Sequence, residues 1–261
     1  YYNIEMSYKA ILNVNLLAAR VGANELEFCF KKINSYKSFE QKSRFVENVA
    51  KAVEEIIIEE IKKYYPYDNF STTYHGDEIN NSEVTWYIDP LNGKQNFFKG
   101  IPHFSISVAT LEEGSITTGV IIDPVRREEF SSSKGSGAEL NRIKARTSNQ
   151  QNPANGTFVV NASAKNIQKY QHKLLSIVDE NITLRNSGSF ALDLAYVATG
   201  RYDAAILEDF DFKKVAAGIL ISQESGALIG DLKGNPNVFD ANSIVSATAK
   251  CFKPLIKTLN N

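Results

Sequence analysis

The chain has little of what disulfide-stapled or cysteine-zinc domains depend on. Its 261 residues contain only two cysteines, Cys29 and Cys251, which lie far apart and form no C-x-x-C pair. This usage argues against a disulfide framework and a cysteine zinc site, and it is typical of a reducing compartment.

The sequence also lacks a strong net charge and a long apolar run. The formal net charge is −1, so no global field draws the chain to nucleic acid or to an acidic membrane, and such a partner needs a local patch. No apolar stretch approaches the roughly 20 residues needed to cross a bilayer. The N-terminus shows no basic segment followed by an apolar run, as a secretory signal requires. We therefore expect a soluble, cytoplasmic protein with no membrane partner.

Apolar periodicity predicts helices in the first third of the chain, over residues 7–33 and 44–64. The acidic residues Glu54, Glu55, Glu59 and Glu60 are interpreted as the solvated side of the second helix.

The rest of the chain mixes strand and helix patterns. Strands are predicted at 85–88, 104–110, 116–122, 157–160 and 202–207, and helices at 188–199 and 215–225. This mixture predicts an α/β (α+β) fold with layered sheets. The polar stretch 148–155 is the predicted joint between an N-terminal half (1–150) and a C-terminal half (151–261), which together form one compact unit.

One segment carries a specific signature. Residues 86–97 read W-Y-I-D-P-L-N-G-K-Q-N-F. This resembles the pattern W-x-I-D-P-[IL]-D-G-T-x-N-F of the inositol monophosphatase family, with its bacterial SuhB branch the most similar. Further similar segments occur in the family's order: G-D-E at 76–78, G-I-P-H-F at 100–104, G-S-F-A-L-D-L-A-Y-V-A at 188–198 and V-A-A-G at 215–218. The resemblance covers nearly the whole chain. It implies a layered αβαβα sandwich, usually a homodimer, with its site between the halves.

Members of that family hydrolyse phosphomonoesters with two or three magnesium ions, which carboxylate oxygens hold. By position, the resemblance places the metal ligands at Asp77, Asp89, the Leu91 carbonyl, Asn92 and Lys214. Four of these positions are carboxylates in the family, with a summed charge of −4, but here the four side chains carry −1. An ammonium about 4 Å from a divalent cation costs about 8 kcal/mol at an effective dielectric constant of about 20. We therefore expect ordinary magnesium binding to fail.

Two more positions of the resembling family's catalytic apparatus have changed. Lys94 stands where the family has a threonine that orients the attacking water, and Ala50 stands where it has the partner carboxylate. The family's substrate region falls at Ser187, Gly188 and Ser189, where the two serines are also predicted to cap the following helix.

The family's inositol-recognising glutamate falls at Leu207. Glu208 lies beside it, so a one-residue shift is an alternative.

Three interpretations of the altered site are open. In the first, Lys94 or Lys214 forms an internal salt bridge with Asp89 and Asp77 in a site no longer used. In the second, the lysines replace the metals and hold a phosphate-type anion together with the amides of Gly93 and Lys94. In the third, one metal at Asp77, Asp89 and the Leu91 carbonyl supports weak catalysis.

The histidines add little to these interpretations. His103 is interpreted as structural, and His75 and His172 as surface residues.

Two functions follow from the resemblance. The first is a non-catalytic family member that acts as a binding or scaffold protein and needs no cofactor. Because the SuhB branch is associated with transcription antitermination, a protein partner in the transcription machinery is implied. The alternative is a magnesium-dependent phosphatase that hydrolyses inositol monophosphate or a related sugar phosphate.

Overall fold

The computed structural model describes residues 2–162, 168 and 182–260. These residues form six α-helices and thirteen β-strands, together with short 3-10 turns at Ile33–Ser35 and Phe212–Lys214. The helices are α1 (Tyr2–Phe30), α2 (Phe39–Lys62), α3 (Lys94–Lys99), α4 (Phe190–Ala198), α5 (Ala216–Ser225) and α6 (Ala249–Asn260). The strands are β1 (Asn69–Thr72), β2 (Asp77–Glu78), β3 (Val84–Asn92), β4 (Ser105–Glu112), β5 (Ser115–Asp123), β6 (Glu128–Ser133), β7 (Ala138–Leu140), β8 (Ile143–Ala145), β9 (Thr157–Asn161), β10 (Thr183–Arg185), β11 (Ala204–Glu208), β12 (Leu228–Gly230) and β13 (Ser243–Ala247).

The strands form two mixed sheets. The first has eight strands in the order β2-β1-β3-β4-β5-β6-β7-β8, and the second has five in the order β10-β9-β11-β13-β12. In the first sheet only β1 and β3 run parallel, and consecutive hairpins build the rest. In the second, β9 pairs in parallel with β10 and β11, while β13 is antiparallel to both of its neighbours.

Helices α1 and α2 cover the outer face of the first sheet. The apolar stripe of α2, which includes Val46, Val53 and Ile57, lies fully buried against Trp86 and Ile88 of β3. Helix α2 begins at a typical N-cap, because the Ser38 hydroxyl accepts a hydrogen bond from the Gln41 amide at 3.1 Å. The spacing of apolar side chains thus fixes which face of the helix meets the sheet.

Helices α4 and α5 form the middle layer between the two sheets. Their buried residues share one core with side chains from both sheets, for example Ile121 of β5 and Leu207 of β11. The two helices pack closely at Gly218, where an added Cβ would stand 2.7 Å from the Leu194 side chain. Helix α6 covers the far face of the second sheet with Phe252 and its neighbours. The order of layers is therefore αβαβα.

This architecture confirms the predicted fold class. The predicted helices and strands all occur, with ends that differ by a few residues. The strands β1, β2, β6–β8, β10, β12 and β13 were not predicted, and most of them are too short for a clear period. The C-terminal helix was not predicted either. The two sheets divide between β8 and β9, across the stretch in which the joint was placed, but the division into two halves stays a prediction.

The interpretation of the acidic run on α2 is wrong for Glu54. Its side chain is buried, and its carboxylate accepts hydrogen bonds at 2.8 Å from the backbone amides of Thr73, Tyr74 and His75. The His75 ring nitrogen Nδ1 lies 2.9 Å from the same carboxylate. Helical periodicity could not reveal this role, because the partners lie about 20 residues away in a loop. Glu54 thereby fixes the loop that leads from β1 to β2.

We expect Glu54→Ala to lower the free energy of unfolding by about 2–3 kcal/mol, because it removes the acceptor of three backbone amides. Urea unfolding measures the change. Glu55→Ala is the matched control, since Glu55 is the next residue of α2 and is exposed. Equal stability of the two variants would contradict the role assigned to Glu54.

Candidate functional site

The candidate site begins at an irregularity in the first sheet. Strands β3 and β4 pair regularly until Asp89 faces Ser107, and the register then shifts so that Asn92 faces Ser105. Between these two pairs β3 has two residues, Pro90 and Leu91, whereas β4 has only one. Such a bulge bends the strand and redirects side chains. Here it brings the side chains of Asp89 and Asn92 together.

These two side chains form a buried pair. The Asn92 amide nitrogen donates to Asp89 Oδ2 at 2.7 Å, and the exposed fractions of Asp89 and Asn92 are 3% and 2%. The Leu91 amide donates a long hydrogen bond of 3.4 Å to Asp89 Oδ1. Burial raises the pKa of Asp89, which the hydrogen bond from Asn92 and the positive charge of Lys214 partly offset. The positive charge of Lys214 thus acts on Asp89. The direct hydrogen-bond partner of Asp89, however, is the uncharged amide of Asn92.

The other end of the Asn92 amide reaches the start of α4. Its oxygen accepts hydrogen bonds from the Ser189 hydroxyl at 2.9 Å and the Ala191 backbone amide at 3.0 Å. A backbone amide only donates, so the atom facing Ala191 is the oxygen and the NH₂ group faces Asp89. That NH₂ group also donates to the Lys214 carbonyl at 3.2 Å. One side chain therefore joins the bulge, the start of α4 and the turn before α5.

The predicted capping of α4 by the two serines needs correction. Ser189 occupies the N-cap position, but its side chain makes no cap hydrogen bond to the helix. The cap comes instead from Asn92, which accepts from the first-turn amide of Ala191 across 99 positions of sequence. The Ser187 hydroxyl accepts from the Ser189 amide at 3.1 Å and donates to Asp193 at 2.5 Å. Between them, Gly188 has a positive φ of 78° and faces the Asn96 side chain.

Asp77 and Lys94 lie at the exposed edge of the site. Asp77 lies in β2 and accepts a hydrogen bond from the Ser71 hydroxyl at 2.8 Å. Lys94 begins α3, after Gly93 in the left-handed conformation, and its ammonium donates to the Tyr74 hydroxyl at 3.1 Å. In the part of the chain that the structure describes, no three His, Cys, Asp or Glu side chains converge as a metal site requires.

The structure does not support the predicted internal salt bridge. No ion pair joins Lys94 or Lys214 to Asp89 or Asp77 among residues 2–162, 168 and 182–260. The Asn92 amide occupies the place beside Asp89 that a lysine was expected to take.

The remaining predicted positions are buried. Ala50 is fully buried on α2, and Leu207 is fully buried in β11. Leu207 cannot offer a polar contact to a ligand, and Glu208 beside it is also buried.

The histidines contact protein groups. The ring of His103 packs edge-on against the ring of Tyr196, and burial lowers the pKa of His103. His75 is partly exposed, but its contact with Glu54 gives it a structural partner as well. His172 lies outside the described residues.

A family model described as "Inositol monophosphatase family" matches residues 8–261. The chain belongs to the inositol monophosphatase family. Among curated relatives it is 35% identical over 260 residues to "Nus factor SuhB" of Pseudomonas aeruginosa, with 95% of each chain covered. It is 34% identical to "Nus factor SuhB" of Escherichia coli K12, with 96% of each covered.

Solved structures agree with this assignment. The extragenic suppressor protein SuhB from Bartonella henselae matches with a TM-score of 0.87 and 28% identity, covering 97% of this chain and all of that one. The inositol monophosphatase from Anabaena matches with a TM-score of 0.85 and 25% identity, covering 97% and 96%. The family fold is therefore present over the whole described chain.

Within this family member, a second buried carboxyl group lies behind the bulge. Asp193 of α4 is fully buried and hydrogen-bonded to the Ser187 hydroxyl at 2.5 Å and to the Asn161 amide at 3.1 Å. Burial raises its pKa from 3.8 to about 7, although both hydrogen bonds oppose the shift. Sequence reasoning did not single out this residue, since an aspartate in a helical pattern looks like a solvated one. Its burial follows from the position of α4 between two sheets.

The raised pKa of Asp193 predicts a pH dependence of stability. The folded chain holds this proton up to about pH 7, whereas the unfolded chain loses it near pH 4, so stability falls as the pH rises between these values. Between pH 5 and 8 we expect Asp193 to reduce the free energy of unfolding by about 2–3 kcal/mol, at about 1.4 kcal/mol per pKa unit. Urea unfolding of the wild type and Asp193→Asn at both pH values gives the difference. A difference that does not change with pH would contradict the shift.

The orientation of the Asn92 amide predicts the effect of an aspartate at this position. Asn92→Asp places a second carboxylate about 2.7 Å from Asp89 without a donor between them. We expect a loss of about 3–5 kcal/mol in unfolding free energy at pH 8, as for an uncompensated buried charge. The loss shrinks at pH 5, where one carboxyl is protonated and can donate.

Asn48→Asp, on the exposed side of α2, is the control for this substitution. Urea unfolding in magnesium-free buffer compares the two variants. A similar small effect of both would show that the Asn92 amide does not hold Asp89.

Proposed function

We propose that this member of the inositol monophosphatase family has lost the family's magnesium-dependent phosphatase activity and acts as a binding protein. One observation carries the proposal: the Asn92 NH₂ group faces Asp89 at 2.7 Å. In a magnesium site, both side chains at these positions must direct oxygen atoms at the cation. Here one directs donor hydrogens, and its own oxygen is used by Ser189 and Ala191.

The donor set therefore does not fit magnesium. Turning the Asn92 amide to offer its oxygen would leave the Ala191 amide without an acceptor and bring two oxygens together at Asp89. Lys214 replaces a further carboxylate with a positive charge that acts on Asp89. Asp77 is exposed and bonded to Ser71. A neutral amide thus does what the cation does in the family's enzymes, since it satisfies Asp89 and links the two halves.

The names of the relatives support a binding role in transcription. The matched proteins from P. aeruginosa and E. coli carry the name Nus factor, and transcription factors of bacteria work in the cytoplasm. We propose that this chain also acts in the cytoplasm with the transcription machinery, through a protein partner. A homodimer is the assembly that the family implies, and light scattering after size-exclusion chromatography tests it.

Magnesium titration by calorimetry, with inositol 1-phosphate turnover assayed on the same preparation, tests the loss of activity. We expect neither heat of binding nor phosphate release, because the charge at the four ligand positions is −1 and one ligand oxygen faces away. Saturable magnesium binding together with turnover would establish the alternative, a phosphatase that acts on inositol monophosphate or a related sugar phosphate.

Substitutions that introduce the family's residues test whether the loss of these residues prevents magnesium binding. The combined variant Ala50→Asp, Asn92→Asp, Lys94→Thr and Lys214→Asp is expected to bind magnesium, whereas each single change binds none, because the ligands of a metal act as a set. Magnesium should also raise the stability of the combined variant by the mass action of binding. If the combined variant gains neither binding nor stability, the loss of these ligands is not what prevents magnesium binding.

A further inference from the structure

Lysine side chains and aromatic rings form a continuous strip on the exposed surface of α2 and α3. We call it the aromatic-lysine strip, and its members are Phe39, Lys42, Tyr74, Lys94, Phe98 and Lys99. Phe39 is the first residue of α2, and its side chain is 69% exposed. The N-cap at Ser38 fixes where the helix begins and so where this ring stands. Phe39 therefore presents an exposed aromatic ring at a fixed position on the surface.

The rings and ammonium groups of the strip contact one another. The Phe39 ring meets the Phe98 ring edge-on with centroids 5.2 Å apart. The ammonium nitrogens of Lys42 and Lys99 lie 5.5 and 5.6 Å from the Phe98 centroid. Phe98 is therefore the centre of the strip, with a cation on two sides and the exposed Phe39 ring on a third.

Lys94 connects this cluster to the edge of the altered site. Its side chain lines one small cavity together with Phe39 and Phe98. Its ammonium donates to the Tyr74 hydroxyl and lies 5.4 Å from the Tyr74 ring. The strip thus runs without a break from α2 over α3 to the loop that Glu54 holds.

The positive charges of the strip have no acidic partners among the described residues. Lys51 and Lys62, on the same helix α2, form ion pairs with Glu47 and Glu78. Lys42, Lys94 and Lys99 form none with any described carboxylate. In a chain whose net charge is −1, these three ammonium groups without an acidic partner form the local patch that an anionic partner requires.

An exposed ring between unpaired ammonium groups matches one class of ligand better than others. A single-stranded nucleic acid offers a base to stack on an aromatic ring and phosphates to pair with lysines. A duplex hides its base faces, so it leaves Phe39 unused. An acidic peptide can pair with the lysines, but it need not contain a planar group that stacks on Phe39. Lysine is also depleted at protein–protein interfaces.

We propose that the aromatic-lysine strip binds single-stranded RNA, with one base stacked on Phe39 and phosphates on Lys42, Lys94 and Lys99. The strip itself indicates a single strand. The choice of RNA over DNA rests on the proposed role in transcription, where RNA leaves the polymerase as a single strand. This inference also assigns Lys94 a ligand outside the altered metal site.

Fluorescence anisotropy with a fluorescein-labelled uridine dodecamer in 50 mM salt tests the proposal on the full chain. The wild type is expected to bind this probe, and more weakly a DNA dodecamer of thymidine. Phe39→Ala is expected to lower the affinity about tenfold, as for loss of one stacked base. Lys42→Ala with Lys99→Ala is expected to reduce the slope of log affinity against log salt by about 1.4, since each lost phosphate contact removes about 0.7.

Matched controls lie elsewhere on the surface. Tyr67→Ala removes an aromatic ring that is 82% exposed, and Lys253→Ala removes an exposed lysine of α6. Both should bind the dodecamer within twofold of the wild type, and thermal unfolding confirms that every variant is folded.

Several outcomes would overturn the proposal. These are absence of RNA binding by the wild type, equal losses in Phe39→Ala and Tyr67→Ala, or an unchanged salt slope in the double lysine variant. Binding of a polyglutamate peptide without binding of the dodecamer would replace RNA with an acidic protein partner, and equal affinity for the DNA dodecamer would remove the choice of RNA. These results are independent of the magnesium titration. Phosphatase activity would end the proposed loss of catalysis and leave the strip untouched.

Discussion

The arrangement of the site depends on one buried side chain, Asn92. Its amide donates to Asp89 and to the Lys214 carbonyl, and it accepts from Ser189 and from the first turn of α4. Both hydrogens and the oxygen of this buried amide are therefore used inside the protein. A buried polar network of this kind is stable only when every member is satisfied. The bulge, the start of α4 and the turn before α5 hold their positions through this one amide.

This network shows how the bulge can be held by protein groups alone. The bulge brings two side chains together whatever their chemistry, because it is set by strand pairing. Two carboxylates in that place repel each other unless a cation or a proton lies between them. With one carboxylate and one amide, the pair is satisfied directly. This direct pairing is what the proposed loss of magnesium binding rests on.

Lys94 has a partner that its charge did not suggest. It is the first residue of α3, it is exposed, and its ammonium donates to the Tyr74 hydroxyl. It adds to a patch with Lys42 and Lys99 around the ring of Phe98. Under the proposed function, a lysine at this position serves the neighbouring surface, since its side chain is long enough to reach solvent. The inner network and the outer strip meet at α3, which follows the bulge directly.

The sequence alone determined the family and the layered fold, because these depend on local motifs and on periodic burial. It also placed the expected metal-ligand positions, whose charges sum to −1. Only the tertiary structure decided which groups face one another: that Asn92 caps α4 from 99 residues away, that Glu54 is buried under a distant loop, and that Asp193 lies between two sheets. Contacts between residues far apart in sequence leave no local pattern. For this reason the sequence left three interpretations of the altered site open, and none of them included the Asn92 amide as the partner of Asp89.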